Sequence, residues 1–428
     1  MNTGISEFTL FGLISVVLGI TLLLGIVFEL APTLRRKWIL GIALGTGIMA
    51  FAVKIVLVLV FSNYAMPISK FFSAARKDSF EYSIQQQNQN IDLSGQGYTW
   101  EALPQNPMIP ADNPMSKEKI KLGEKLFFDK RLSIDNQVAC VSCHILTAEK
   151  GGADGLPVSI GIAGQKGSRN APTVLNAAFQ EVLFWDGRAS SLEEQAKGPI
   201  INPLEMGMPS FLAIEEKLGA IEEYQQLFKQ VFTSKPAITI ENIAKAIAAY
   251  ERTLITPNTA YDRFVRGDTS ALSKIQLRGM ALFESKGCVL CHSSANFSAA
   301  SYLGNNSMFR MFPAITGSVY EKQYGLVKDR GLNANNSATT TGVWRVPSLR
   351  NVSRTAPYFH NGSVNSLEDA VRIMAHVQLG KKISNAATAQ HDILWSAEKS
   401  QIYMSQDKAI TDREVKDIVA FLEALNGK

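Results

Sequence analysis

The chain of 428 residues carries 43 basic and 38 acidic side chains, a formal net charge of +5. That length is too great for one ordinary core and predicts two or three domains, while so even a charge balance gives no sign of a nucleic-acid surface. The four cysteines all fall within two short motifs, which leaves none for a disulfide framework. Charged residues make up only 19% of the chain, and the N-terminus accounts for the deficit. Residues 8–31 and 39–62 are two apolar stretches, each long enough to cross a hydrocarbon core of about 30 Å at ~1.5 Å per residue. Residues 1–62 are therefore predicted to form a transmembrane helical hairpin. Its connector holds Arg35, Arg36 and Lys37, and short basic loops stay in the cytoplasm, so both ends face outward. A cleaved signal peptide fits less well, because the first stretch lacks a basic leader and is too long for an h-region. Lys70, Arg76 and Lys77, just outside the second span, run mildly against this orientation. Glu29 and Lys54 lie at different depths, and Lys54 can snorkel to the interface, so the hairpin is read as an anchor.

Residues 63–113 are polar, with a Gln/Asn run followed by several prolines, and read as a linker. Two domains, 114–265 and 266–428, are predicted beyond it from a repeat. Gly123-x-x-Leu126-Phe127 and Gly279-x-x-Leu282-Phe283 each close an amphipathic stretch. Each is followed by a Cys-x-x-Cys-His pentapeptide, the first with Cys140, Cys143 and His144 and the second with Cys288, Cys291 and His292. Two thiols at this spacing can each form a thioether to a haem vinyl group while the adjoining imidazole takes the iron. A zinc ribbon also uses paired units, but about 15–20 residues apart and with no need of a histidine after each. A redox dithiol would need only one motif. Two covalently bound haem c groups are therefore predicted. Such haems are attached outside the cytoplasmic membrane, which agrees with the hairpin's orientation: an anchor in a bacterial cytoplasmic membrane, with the haem domains in the periplasm. No histidine precedes His144, so the hairpin cannot hold a bis-histidine haem.

Further along, Ser191 and Glu194 form a capping-box pattern that puts Gln195 in the first turn of a helix. Ile243, Ala244, Ile247 and Ala248 mark another helix. Leu367, Ala370, Val371 and Met374 form a stripe at i, i+3, i+4 and i+7 behind a Ser366-x-x-Asp369 cap, suited to an apolar core or to a thioether ligand. Thr411 and Glu414 cap a closing helix through Val415, Ile418, Val419, Leu422 and Leu425. Strand signals are scarce. The predicted fold is mainly α: two cytochrome c-like haem domains after an N-terminal transmembrane helical hairpin.

Longer motifs accompany these elements: Leu126-Phe127-Phe128-Asp129, Arg169-Asn170-Ala171-Pro172-Thr173, Phe184-Trp185-Asp186-Gly187-Arg188-Ala189, Asn202-Pro203-Leu204-Glu205-Met206, Leu349-Arg350-Asn351 and Ala356-Pro357-Tyr358-Phe359-His360. In them, from Pro110 to the C-terminus, the chain resembles the bacterial di-haem cytochrome c peroxidases. The resemblance implies reduction of hydrogen peroxide to water. Electrons would come singly from a c-type cytochrome, a small copper protein (cupredoxin) or, as in some membrane-bound relatives, quinol. It implies that the haem on His144 is peroxidatic and the haem on His292 is the electron entry site. Glu205 would be the acid/base and Gln195 the distal hydrogen-bonding residue, with Phe184 and Pro199 shaping the pocket and Trp185 carrying electrons between the haems. Met374, just before Gln378-Leu379-Gly380, would be the second iron's sixth ligand; its rival His376 points about 200° further round the helix. Asn170, Thr355 and Pro357 match positions that hold calcium with waters between the domains, and oxygens of this kind suit that ion. His360 would lie near the inter-haem region, His391 has no assigned role, and these peroxidases are often homodimers.

One departure matters. Many members carry a histidine, in the loop after the first haem motif, that blocks the peroxidatic iron until the other haem is reduced. Here that loop reads Ser159-Ile160-Gly161-Ile162, and Ile162, which stands at that position, cannot ligate iron. The expectation is an open distal site and no strict need for reductive activation, unless Lys150 or Lys166 substitutes. Two alternatives compete with the peroxidase: a di-haem maturase-type enzyme that oxidises residues of a partner protein, and a non-catalytic di-haem electron carrier. The maturase relatives carry tyrosine where Met374 lies, and a carrier would not need Gln195 and Glu205 beside an open iron.

Overall fold

A computed structural model of the chain describes residues 98–304, 308–314, 318–335, 342–378, 382–385, 401–403 and 410–427. The predicted hairpin of residues 1–62, and His391, lie outside them. No helix among the described residues is long and apolar enough to cross a membrane. Residues 78–428 make up one compact unit.

The first half holds helices α1 (Lys117–Phe128), α2 (Cys140–Cys143), α3 (Leu192–Ile201), α4 (Phe211–Gly219), α5 (Glu222–Val231), α6 (Ile240–Glu251) and α7 (Ala260–Val265). The second holds α8 (Lys274–Ser285), α9 (Val319–Tyr324), α10 (Leu367–Gln378) and α11 (Asp412–Glu423). Short antiparallel pairs join β1 (Phe309–Phe312) to β2 (Gly342–Arg345), and β3 (Lys382–Asn385) to β4 (Gln401–Tyr403). The predominance of helix follows from the 3.6-residue apolar periodicity.

The sequence repeat has a packing cause. A side chain on Gly123 of α1 would collide with the Ala246 carbonyl oxygen of α6, and one on Gly279 of α8 would collide with that of Asp417 of α11. Each glycine thus lets two helices cross at backbone contact. Leu126 and Phe127 are then fully buried in one core, and Phe283 in the other. The predicted caps at Thr411 and Ser366 form. The Ser191 box forms only by half: Ser191 Oγ accepts from the Glu194 amide, whereas the Glu194 carboxylate turns to Lys197.

Residues 98–113, read from sequence as part of a polar linker, are instead built into the body. Trp100 packs among Tyr261, Phe297 and Phe421. Leu103 is fully buried and its amide donates to Asp262 Oδ1 at 2.8 Å, and buried Asn113 donates to Glu193 at 2.7 Å. The prolines and amides of this stretch masked a few anchoring side chains, and anchors need not be periodic.

The two halves are stitched by charge. Asp262 and Arg350 form a fully buried bidentate pair, at 2.8 and 2.9 Å. Arg169 joins Asp186 at 2.7 Å to Asp329 at 2.6 Å.

Candidate active site

The two Cys-x-x-Cys-His motifs fold alike. In each, the histidine amide closes a turn on the carbonyl of the first cysteine: His144 on Cys140 at 3.0 Å and His292 on Cys288 at 2.9 Å. Each imidazole is then fixed by backbone acceptors. Nδ1 of His144 lies 3.3 Å from the Gly152 carbonyl and Nδ1 of His292 lies 3.1 Å from that of Phe297, with the Pro172 and Pro347 carbonyls as further partners. This places the proton on Nδ1 and leaves Nε2 as a lone-pair donor. Burial lowers both pKa values, that of His292 to about 4, so both rings are neutral, the form a metal requires. None of the four cysteines is in a disulfide.

Both histidines line one cavity of ≈ 640 Å³, together with Cys143, Cys288 and Cys291. A largely apolar cavity that joins two buried neutral imidazoles, each beside free thiols, fits two haems.

On the His144 side the cavity wall includes Gln195 and Pro199 of α3, Phe184, and Glu205. Pro199 stands inside α3, and the turn that follows is tied back by the Met206 amide to the Pro199 carbonyl at 3.2 Å. That fold-back brings Glu205 to the same wall as Gln195. Asn202 Nδ2 donates to Glu205 Oε1 at 2.8 Å, which leaves Oε2 for another partner. Burial raises the Glu205 pKa, partly offset by the Arg188 charge and the Asn202 hydrogen bond. Ile162 does not line this cavity. Its side chain packs against the first core, in the space a side chain on Gly207 would need, and its amide donates to the Glu205 carbonyl at 2.9 Å. Lys150 is held by the Asp154 carbonyl at 3.0 Å, and neither it nor Lys166 reaches the cavity wall.

Trp185 also lines the cavity, and its Nε1 donates to the Asn170 carbonyl at 2.8 Å. Its ring centroid is 6.5 Å from that of His360, and His360 stacks on Trp344 at 4.1 Å. On the His292 side, Leu367, Ala370, Val371 and Met374 of α10 all line the cavity, whereas His376 is buried away from it. Asn170, Thr355 and Pro357 share the same wall. Asn170 Nδ2 is spent on the Leu156 carbonyl at 2.8 Å, which leaves its amide oxygen available.

The family model described as "Di-haem cytochrome c peroxidase" matches residues 117–270. The cytochrome c551 peroxidase of Pseudomonas aeruginosa is 38% identical over 317 residues, 74% of this chain and 80% of that protein. That of Nitrosomonas europaea is 36% identical over 327 residues, 74% and 83% of the two chains. The chain belongs to the di-haem cytochrome c peroxidase family. Among solved structures, a MauG-like protein associated with microbial copper homeostasis aligns with a TM-score of 0.61 at 29% identity, covering 79% of this chain and 95% of that one.

Like its family, then, the chain is an oxidoreductase with two haem sites, and the geometry adds residues that sequence reading did not single out. Pro172-x-x-x-Asn176 and Pro347-x-x-x-Asn351 are a second repeat. In each the proline carbonyl faces a haem-motif histidine, and the asparagine, at φ 61°, starts a 3-10 turn. Its spacing was visible, but its meaning appears only beside the histidines. Asn202 opens the motif that ends in Glu205-Met206, but its hold on the Glu205 carboxylate appears only in the fold. Glu251, at the end of α6, is buried on the cavity wall and burial raises it to about 8; it lies three residues after Ala248 and four after Ile247, on the apolar stripe itself.

Proposed function

We propose that this protein is a peroxidase that reduces hydrogen peroxide to water with single electrons from a c-type cytochrome, a small copper protein or quinol. It does so without a strict need for prior reduction. One observation carries the reading. Gln195 and Glu205 face the cavity on the His144 side, while Ile162 is fastened away from it against Gly207 and the first core.

Two haems, tethered through Cys140 and Cys143 and through Cys288 and Cys291, held by His144 and by His292 with Met374, would supply electron storage and cleavage of the O–O bond. The chain's own groups do the rest. Glu205 Oε2 takes the proton of the nearer peroxide oxygen and delivers it to the farther one, which departs as water. The raised pKa of Glu205 suits both halves of this task. Gln195 donates a hydrogen bond to the oxygen that stays. Trp185, tied to Asn170, lies on the wall shared by the two sites and offers a path for the electron. Calcium at Asn170, Thr355 and Pro357 would brace that wall. Met374 in the cavity favours this reading over oxidation of a partner protein. The hairpin of residues 1–62 would anchor the enzyme to the cytoplasmic membrane with its haem sites in the periplasm, and a homodimer is in keeping with the family resemblance.

The resting ferric EPR spectrum tests the open site. A high-spin signal from the His144 haem is expected, because Ile162 cannot ligate iron and packs away from the cavity. Two low-spin signals and no high-spin species would sink the proposal.

A further inference from the structure

Arg345, the last residue of β2, is only 6% exposed and lies on the cavity wall. Its amide donates to the Trp185 carbonyl at 2.9 Å. Its side chain donates from Nε to the Phe184 carbonyl at 2.9 Å and from Nη1 to Gln180 Oε1 at 3.1 Å. Both side-chain acceptors are neutral. A guanidinium has five N–H donors, so three are left over among the described residues. The carboxylate that acts on it electrostatically, Asp186, is already engaged by Arg169 and Arg188, and Arg345 forms no ion pair among the described residues. Burial pulls its pKa down to about 10, the direction expected of a cation without an adjacent anion.

A buried guanidinium lacking a counter-ion is strongly unfavourable, and its free donors make a fork suited to a carboxylate. The haems of this family each bring two propionate carboxylates into the cavity. We propose that Arg345 takes a haem propionate as its counter-ion and so couples that haem directly to the Phe184–Trp185 segment. The inference rests on haem binding, not on the peroxidase reading. Arg345 is then a positioning residue for Trp185: one side chain holds the Phe184 carbonyl, where φ is 62°, and the cofactor edge beside it. Its charge also favours the reduced state of whichever haem it touches, because reduction removes a positive charge from the iron.

The test uses holoprotein with both haems attached, as wild type, Arg345→Lys, Arg345→Met and Arg345→Gln. Gln can keep a hydrogen bond to Phe184 without the charge and serves if Met does not fold. Both midpoint potentials are titrated spectroelectrochemically, and the propionate bending bands are followed by resonance Raman. The expected result is a lowered potential at one haem in Met and Gln, with that haem's propionate band displaced and Lys restoring most of the potential. The haem that responds identifies which propionate is held. Unchanged potentials and bands in a folded variant would overturn the proposal, as would equal shifts at both haems that Lys does not restore; Arg345 would then serve the Phe184–Trp185 backbone alone.

Discussion

Replacing Glu205 by glutamine is expected to lower peroxide turnover by about 10²–10⁴-fold, the usual worth of a positioned acid/base, while both haems still attach. Glutamine keeps the shape and can still meet Asn202, so the loss isolates proton transfer. The pH dependence carries an independent sign. Burial lifts the Glu205 carboxyl above the ordinary carboxylate range, against smaller opposing effects of Arg188 and Asn202. Only the ionised form can accept the peroxide proton, so the wild-type rate should fall as pH drops through that raised value. In the glutamine variant this acid limb should vanish. Steady-state rates across pH check both points, and a variant that retains full turnover would remove Glu205 from the mechanism.

Replacing Asp262 by alanine should destabilise the folded protein by about 3–5 kcal/mol, the cost of leaving a buried partner charge uncompensated. Asp262 and Arg350 are both 0% exposed at the side chain, and the same carboxylate caps Thr259 and receives the Leu103 amide. Burial by itself would raise the Asp262 pKa, but the Arg350 hydrogen bonds and charge overcome it and the pKa is lowered. A lowered folded pKa means that this stabilisation is present above the unfolded value of about 3.9 and is lost as pH falls through the folded one. Urea unfolding of the holoprotein measures the effect. The double variant Asp262→Leu, Arg350→Met should lose less than Asp262→Ala alone, because it leaves no charge stranded.

What was legible in the sequence was local. The paired Cys-x-x-Cys-His motifs were legible as two haem sites, and the Gly-x-x-Leu-Phe repeat as two like helices; that each glycine marks a helix crossing appeared only in the fold, where it admits a carbonyl at backbone contact. That Met374 and His376 point different ways was legible from the helical angle, and of the two only Met374 meets the cavity wall. Burial of isolated polar groups was not legible. Nothing in its own stretch of sequence marks Arg345 for burial on the cavity wall. Residues 98–113 misled for the opposite reason: their composition is that of a linker, yet Trp100 and Leu103 suffice to dock them. Ile162 shows both sides. Its type excluded an iron ligand, whereas its fastening to Gly207 and to the Glu205 carbonyl required three segments seen together.

The most direct measurement mixes the fully ferric holoprotein with hydrogen peroxide and a reduced c-type cytochrome, following donor oxidation from the first milliseconds. A peroxidase whose distal site is already open oxidises the donor at once, with no lag and no gain from pre-reduction. A lag that pre-reduction abolishes would contradict the account, as would no oxidation, in either state, of the cytochrome or of a small copper protein or quinol put in its place.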